Sequence, residues 1–465
     1  MPARMDFTLD LGPSAGRDGR PAGASGPMRL LVLGDFSGRA PAERPPLAER
    51  PTHRIDVDRI DTVIERLAPR VALPEGPLPF ARLDDWHPDA LYARCARFEP
   101  LRQARARPPG AGSDLLGALL GRPAVSAPPV ATPAPLAPLA PAAQAAGIEG
   151  FIRGIVAPHI VADTSAQAQA DRGGVDAALA EVMRGLLRDP AFRSLESAWR
   201  GVHGLATGLE LDETLELHLF DVTRDELLAD VVAAQGRLAQ TGLHRALAER
   251  WRQAPDGRGW SALVGLYRFG PSDADIGLLA ALGLIAARAG GPLLATADPA
   301  LAGADSAALA GWHALRRSEA APWIGLAAPR LLLRQPYGRR SDPIDAFAFE
   351  EIAGAPSGED FLWGHPGLGV ALLIGRAFTA RGWDFEPGDE REIGDLPACS
   401  FVQDGEPVLQ PCAEQWLDDE AAQAWLDAGL MPLRSHRHRN AVTLPRLQSV
   451  AEPAQRLAGL GRARA

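Results

Sequence analysis

The sequence predicts an α/β protein with a small unit, a proline- and alanine-rich linker, and a larger unit built on a mostly parallel mixed sheet flanked by helices. Three observations predict this class. Short apolar runs of strand length alternate with stretches of helical period on both sides of the linker. The linker, 121–147, carries seven prolines among alanines and has no amphipathic face. Hydrophobic residues make up 46% of the 465-residue chain and charged residues 23%, which is ordinary globular usage.

The small unit, 1–120, is predicted to contain two strands and two helices. Alternation at 7–11 predicts a lone half-buried strand, and the apolar run at 28–33 predicts a buried strand that enters a loop. Apolar spacing predicts a short helix over 58–69, and Pro88 begins a second helix with acidic residues near its start. The apolar residues that carry these patterns are Phe7, Leu9, Leu11, Ile60, Val63, Ile64 and Leu67.

The larger unit, 148–465, alternates helix and strand. Two apolar helical stripes flank Asp189-Pro190, and Thr223 opens a capping box whose helix is predicted to run toward Trp251. Further helices are predicted at 276–288 and near 307–317. Strands are predicted at 215–219, 260–267, 293–296 and 324–327. Strands that alternate with helices in this way predict a largely parallel sheet covered on both faces.

Charge and composition exclude several classes of function. The net charge of −10 has the wrong sign for a protein that binds nucleic acid mainly through phosphates. All 48 basic residues are arginine, and a genome rich in arginine codons explains this better than selection for arginine does. A chain without lysine has neither a P-loop lysine nor a Schiff-base amine, because arginine does not deprotonate.

The chain is expected to be cytoplasmic. Three scattered cysteines, Cys95, Cys399 and Cys412, indicate a reducing compartment. The first 27 residues have no apolar core typical of a signal peptide, and the longest apolar stretch, 277–287, is too short to cross a membrane. No membrane insertion is therefore predicted.

Two glycine-rich loops are the candidates for phosphate binding. Residues 34–38 follow a predicted strand, as phosphate-binding loops often do, but lack the G-x-G-x-x-G spacing. Residues 364–369 contain one G-x-G, with Leu372 where a third glycine is expected. A plain turn is the favoured interpretation of both. The alternative hypothesis is an α/β enzyme that binds a phosphate or nucleotide at 34–38.

Other signals of chemistry are weak. His436 and His438 lie in an arginine-rich run, 434–439, which indicates a solvated basic face rather than a metal site. The acidic pairs at 84–85 and 418–420 are interpreted as helix-dipole partners, and Trp199, Trp363, Trp383 and Trp425 as core residues. No H-E-x-x-H, G-x-S-x-G or C-x-x-C is present. We therefore predict no catalytic residue, no metal and no cofactor.

With these motifs laid out, the chain resembles a fusion of the two sheath subunits of the bacterial type VI secretion system, with the small (TssB/VipA-like) subunit first and the large (TssC/VipB-like) subunit second. The matching segments follow the same order as in the two subunits and cover nearly all of the chain outside the linker and the last 20 residues. They are Met28–Arg39, Val57–Leu67 and Leu83–Tyr92, then Ser194–Leu205, Leu217–Asp230, Leu263–Gly270, Pro329–Gly338, Phe361–Pro366 and Ala428–Leu433.

The resemblance implies a structural protein without an active site. Small and large subunits of this family form a unit that stacks helically around an inner tube and contracts to drive it outward. The family-motif residues taken as structural are Gly34, Asp35, Phe36, Trp86, Pro88, Trp199, Arg200, Arg334, Pro336, Tyr337, Gly338, Trp363 and Gly364.

The resemblance also implies partners. Copies of the chain, or another sheath pair, would interlock through an extended arm by β-augmentation, for which Phe7, Leu9 and Leu11 are the candidates. An AAA+ unfoldase would recycle contracted sheath by gripping a helix near the start of the large subunit, and the inner tube protein and the baseplate are the remaining implied partners. The residues that match that helix are Phe151, Ile152, Ile155 and Val156.

One departure from the family concerns the end of the chain. The large subunit normally continues well past the segment matched at 428–433, whereas here an arginine-rich stretch ends at Ala465. A C-terminally shortened large unit is therefore expected, in a divergent or reduced sheath protein or a partner of another sheath pair. A non-assembling adaptor of the secretion apparatus is a further alternative.

Overall fold

A computed structural model of the chain describes residues 26–106, 165–252, 259–303, 308–354, 356–403 and 406–460. The interlocking arm at 7–11, the linker 121–147 and the unfoldase helix at 151–156 lie outside the described residues. We refer to 26–106 as the first half and to 165–460 as the second half. No helix in these described ranges is both long and apolar enough to cross a bilayer.

The helices and strands occur in both halves. The helices are α1 Ile60–Leu67, α2 Pro88–Arg94, α3 Glu99–Ala106, α4 Ser165–Leu187, α5 Pro190–Gly208, α6 Arg224–Ala233, α7 Asp273–Ala289, α8 Ala310–Arg316, α9 Pro366–Arg381 and α10 Asp419–Asp427. The strands are β1 Met28–Gly34, β2 His53–Ile55, β3 Arg70–Leu73, β4 Gly76–Pro79, β5 Leu215–Asp221, β6 Ala262–Phe269, β7 Leu293–Ala297, β8 Ile324–Ala328, β9 Leu331–Leu332, β10 Trp363–Gly364, β11 Glu392–Ile393, β12 Cys399–Gln403, β13 Glu406–Gln410, β14 Met431–Pro432, β15 Arg434–Ser435 and β16 Val442–Thr443.

The centre of the molecule is a seven-stranded sheet in the order β14-β8-β7-β6-β1-β5-β2. All neighbouring strands run parallel except β2, which pairs antiparallel with β5 at one edge. Small two- and three-stranded sheets lie outside it. The structure thus confirms the predicted parallel mixed sheet.

Helices cover both faces of this sheet, so its central strands are buried on both sides. On β1, Leu30 and Val32 face the layer that contains α5 and α9, while Leu31 and Leu33 face the layer that contains α6 and α7. This explains why the strand at 28–33 is an uninterrupted apolar run and not an alternating one.

Among the described residues, the predicted elements occur at nearly the predicted positions, with one correction. The helix that begins after Thr223 ends at Ala233 and does not continue to Trp251. Gln235 and Gly236 both have positive φ, at 50° and 80°, which stops the helix. A separate helical segment over 242–252 follows, and its central part, Arg245–Glu249, is a π-helical turn.

The stretch after Arg446, which lies outside the segments matched by the family resemblance, packs onto the second half as far as Leu460. The Val450 amide donates to the Ile324 carbonyl at 2.9 Å, and Leu457 is buried in the core. The Gln448 amide group bridges the carbonyls that end α10, at Leu426 and Leu430. This segment therefore belongs to the folded unit.

Candidate functional site at the junction of the two halves

The two halves meet inside the central sheet. The first half contributes β1, which pairs with β5 over seven residues, from Met28 opposite Leu215 to Gly34 opposite Asp221, and with β6 over Leu30–Leu33. Without β1, the sheet would separate into β14-β8-β7-β6 and β5-β2. The first half therefore completes the core of the second.

The loop after β1 is held by a carboxylate of the second half. Asp221 accepts hydrogen bonds from the Phe36 amide at 2.8 Å, the Ser37 amide at 3.1 Å and the Ser37 hydroxyl at 2.7 Å. Asp35 in turn accepts from the Gly38 amide at 2.8 Å. Phosphate-binding loops leave such amides free for the anion. The pairing of these amides with carboxylates disfavours the phosphate-site hypothesis at 34–38.

Two arginines of the first half extend this contact into an ion cluster. Arg44 pairs with Glu226 at 2.8 Å and with Asp35 at 2.7 Å, and Arg50 pairs with Glu226 at 2.8 Å. Burial raises the pKa of Asp35 despite the opposing charge of Arg44. Glu226 is also the third helical residue of the predicted capping box, so one carboxylate both caps α6 and binds the first half.

The role of Asp221, Arg44 and Arg50 in this cluster was not predicted. The available signal was the acidic residue just after a predicted parallel strand, next to the Thr223 capping box. The first-half partners of Asp221 are at least 171 residues away in the chain, and no local pattern indicates such a pairing.

Aromatic residues from both halves pack beside the loop. The Trp199 indole donates to the Phe36 carbonyl at 3.0 Å, and the two rings meet edge-on with centroids 5.3 Å apart. Trp86 stacks on Phe80 at 4.3 Å, and Phe80 also contacts Phe192 of α5. Trp86 and Trp199 are completely buried. These contacts place the predicted motif residues Phe36, Trp86 and Trp199 in one core.

The second group of motif residues forms a buried ion network within the second half. Glu196, which is fully buried, accepts from Arg334 at 2.8 Å and from Arg200 at 2.7 Å. Arg334 also pairs with Glu351 at 2.7 Å and lies 4.1 Å from the Tyr337 ring centroid. Burial would raise the pKa of Glu196, but the two arginines outweigh it and hold that pKa below its usual value.

The network reaches the first half through α2. The His87 ring meets the Tyr337 ring edge-on at 5.2 Å. Asp89 accepts hydrogen bonds from the amides of Asp345 and Ala346, and Pro88 occupies the first turn of this helix as predicted. The loop at 342–346 is therefore fastened to the first half.

The remaining motif residues lie around this network. Trp363 and Gly364 form β10, which pairs antiparallel with β9, and the Ser197 hydroxyl donates to the Trp363 carbonyl at 2.9 Å. Pro336 and Gly338 flank Tyr337, and the Glu351 side chain binds the Tyr337 amide at 2.8 Å. The structure thus brings Arg200, Arg334 and Tyr337 together and places Trp363 against the same helix, α5.

The arrangement holds chain segments of the two halves together. Within the described ranges, no three histidine, cysteine or acidic side chains are grouped as metal ligands would be. His365, a partly buried histidine, bonds to the Thr296 hydroxyl at 2.9 Å, and burial lowers its pKa to about 4. The contacts at the junction therefore serve to hold the first and second halves together.

Comparisons with known proteins agree with this architecture. The family described as "EvpB/VC_A0108, tail sheath N-terminal domain" matches residues 172–451, and that described as "Type VI secretion system, VipA, VC_A0107 or Hcp2" matches residues 18–124. The "Type VI secretion system sheath protein TssC1" of Pseudomonas aeruginosa is 30% identical over 304 residues, or 60% of this chain. The chain covers 61% of the length of that relative. Since the first match extends over more than half of the sequence, the chain belongs to the type VI secretion tail sheath family, with the small-subunit and large-subunit domains fused in one polypeptide.

Proposed function

We propose that this chain is a structural component of a contractile sheath, assembling around an inner tube and contracting to propel it. The observation that carries the proposal is the central sheet, in which β1 of the small-subunit domain lies between β5 and β6 of the large-subunit domain. Each chain then supplies one complete building block. Fusion sets the ratio of the two domains at one to one and raises their effective concentration for each other.

Contraction of such a sheath requires no chemistry in the subunit. If the extended assembly is metastable, each unit releases free energy when it moves to a better-packed arrangement, and small gains add over many copies. A block that slides as a rigid body must keep its own halves together. The buried pairing of Asp221 with 36–37 and the ion cluster around Glu226 serve that purpose.

The proposed interlocking arm is Phe7, Leu9 and Leu11, by the family resemblance. We predict that Leu9→Pro reduces assembly while each chain stays folded, because proline removes a backbone donor from a strand. Assembly is measured by sedimentation, and folding by circular dichroism, with Leu9→Ile as the matched control. An unchanged polymer yield for Leu9→Pro would reject this assignment of the arm.

The other proposed partners follow from the family. They are the inner tube protein, the baseplate, and an AAA+ unfoldase that grips the segment carrying Phe151, Ile152, Ile155 and Val156. The proposed location is the cytoplasm, where sheaths are assembled and recycled. Replacement of Phe151 and Ile155 by Asp would abolish unfoldase-dependent disassembly in this scheme and leave assembly intact.

Negative-stain microscopy of the purified chain tests the proposal. Tubes or cogwheel-shaped rings, formed by the chain alone or with the inner tube protein, are the expected result. Uniform small particles at every salt and protein concentration would overturn it. If such particles co-purify with other secretion components, the protein is a non-assembling adaptor.

A further inference from the structure

Two surface clefts of opposite charge lie beside α9. The first is a cleft of about 440 Å³ whose described lining includes Arg391, Arg446 and Arg456 but no carboxylate. The second is a cleft of about 620 Å³ whose lining includes Glu210, Asp212 and Glu213 but no arginine. We call them the arginine cleft and the acidic cleft. Acidic and basic side chains thus line separate clefts, although acidic and basic residues are mixed along the sequence.

The charges in the arginine cleft have no counterions among the residues that the structure describes. Arg391, Arg446 and Arg456 form no ion pair there; Arg391 donates to the Gly388 carbonyl at 2.8 Å and Arg446 to the Gln448 side chain at 3.4 Å. Arg439, which is also exposed, does pair with a carboxylate, that of Glu392, at 2.7 Å. Three exposed guanidinium groups around one concave surface favour an acidic protein surface as the occupant.

The two clefts lie on different sides of α9. Leu373, Ile374 and Ala377 border an apolar depression that shares Pro387, Gly388 and Leu447 with the arginine cleft, whereas Phe378 and Thr379 line the acidic cleft. At 100° per residue, the mean directions of these two sets differ by about 140° around the helix axis. A surface with complementary patches on two sides suits a head-to-tail contact that repeats from one copy to the next.

We propose that the arginine cleft of one copy binds the acidic cleft of the next copy. This inference rests on the proposed function, because it assumes that copies of the chain assemble. The apolar side chains in or beside both clefts, Trp383 in the acidic cleft and Leu447 in the arginine cleft, add buried area to the charge pairing. Charge pairing at such a contact mainly sets which surfaces meet, since mismatched charges cost several kcal/mol.

Charge reversal in two variants tests the proposal. Variant one is Arg446→Glu/Arg456→Glu, which makes both clefts acidic, and variant two is Glu210→Arg/Glu213→Arg, which makes both basic. All four residues are exposed, and Asp212 is left intact because it holds the turn before β5 through Thr214 and Leu215. Each variant alone should raise the protein concentration needed for assembly at least about tenfold.

Mixing the two variants distinguishes the proposed contact from a general charge effect. In an equimolar mixture every acidic cleft can face a basic one, so alternating copies should restore assembly to within about threefold of the unmodified chain. The matched control, Arg66→Glu/Arg340→Glu, reverses two exposed arginines that also lack a described ion pair. It should leave assembly unchanged.

The outcomes separate this inference from the proposed function. The inference fails if either variant assembles like the unmodified chain, if the mixture stays unassembled while circular dichroism shows both variants folded, or if the control is equally impaired. An inability of the unmodified chain to assemble at all would instead contradict the proposed function.

Discussion

The Asp221 carboxylate is predicted to be a main attachment between the two halves. Its oxygens accept from two backbone amides and one hydroxyl of residues 36–37, and its side chain is 8% exposed. Asp221→Ala leaves the Phe36 and Ser37 amides buried without an acceptor, at about 1–3 kcal/mol each. Arg44 keeps Asp35 and Glu226 as partners, so its loss is small. The expected loss of unfolding free energy is about 3–5 kcal/mol. This loss is large, because the whole free energy of unfolding of a folded protein is typically about 5–15 kcal/mol.

Urea unfolding followed by tryptophan fluorescence measures this loss. Trp199 is a suitable reporter because its indole bonds to the Phe36 carbonyl, next to the amides released by the substitution. Asp221→Asn keeps one acceptor oxygen, so its loss of unfolding free energy should be about half of that for Asp221→Ala. Asp419→Ala, which removes a carboxylate whose side chain is 93% exposed, is the matched control and should have no measurable effect. A loss below about 1 kcal/mol for Asp221→Ala would refute the assignment.

Three further predictions concern single residues. Gly38→Ala should destabilise the protein by about 2 kcal/mol. Gly38 has a φ of +60°, and a Cβ there would lie 2.1 Å from the Arg70 carbonyl oxygen. Gly394→Ala, at a position without positive φ where a Cβ meets nothing within 4 Å, should cost less in the urea midpoint. Glu196→Gln should cost about 3 kcal/mol at pH 7. The pKa of Glu196 is held below 4.5 in the folded protein, so its carboxylate contributes full stability above pH 4.5 and loses it as the pH falls further. The urea midpoint of the variant should therefore depend less on pH below 4.5 than that of the unmodified chain. The pKa of His365 is lowered from 6.5 to about 4, so the imidazole stays neutral in the folded protein while the unfolded chain takes up a proton. The free energy of unfolding should therefore fall as the pH drops from 6.5 to 4. His365→Gln should remove a component of this slope on the order of 3 kcal/mol, and an unchanged slope would contradict the assignment of the pKa shift to burial.

Local elements could be predicted because their signals are local. The helix at Ile60–Leu67 follows from apolar residues on one face, and the start of α6 from the Thr223 capping box. The end of α6 was predicted wrongly, because the break depends on positive φ at Gln235, a residue type without a strong turn preference. The segment 446–460 has no helical or strand period that would indicate its place, and tertiary hydrogen bonds hold it on the second half.

The junction could be predicted only in part. The motifs singled out Phe36, Trp199, Arg334 and Tyr337, and the structure places all four in buried contacts. Their partners were not predictable from spacing. Glu196 pairs with Arg334 across 138 positions, and a lone buried glutamate on an apolar helical stripe carries no sign of its partner in the sequence.

The sequence by itself determined the α/β class, the positions of most helices and of the five longest strands of the central sheet, and the absence of lysine-based chemistry. These properties depend on period, caps and residue type within short windows. Only the tertiary structure decided that β1 lies between β5 and β6, and that Asp221 and Glu226 bind the first half. The physical reason is that an apolar strand pairs equally well, by its own pattern, at the edge or centre of any sheet. Its place is decided by which neighbours bury both of its faces and satisfy the polar groups at its end.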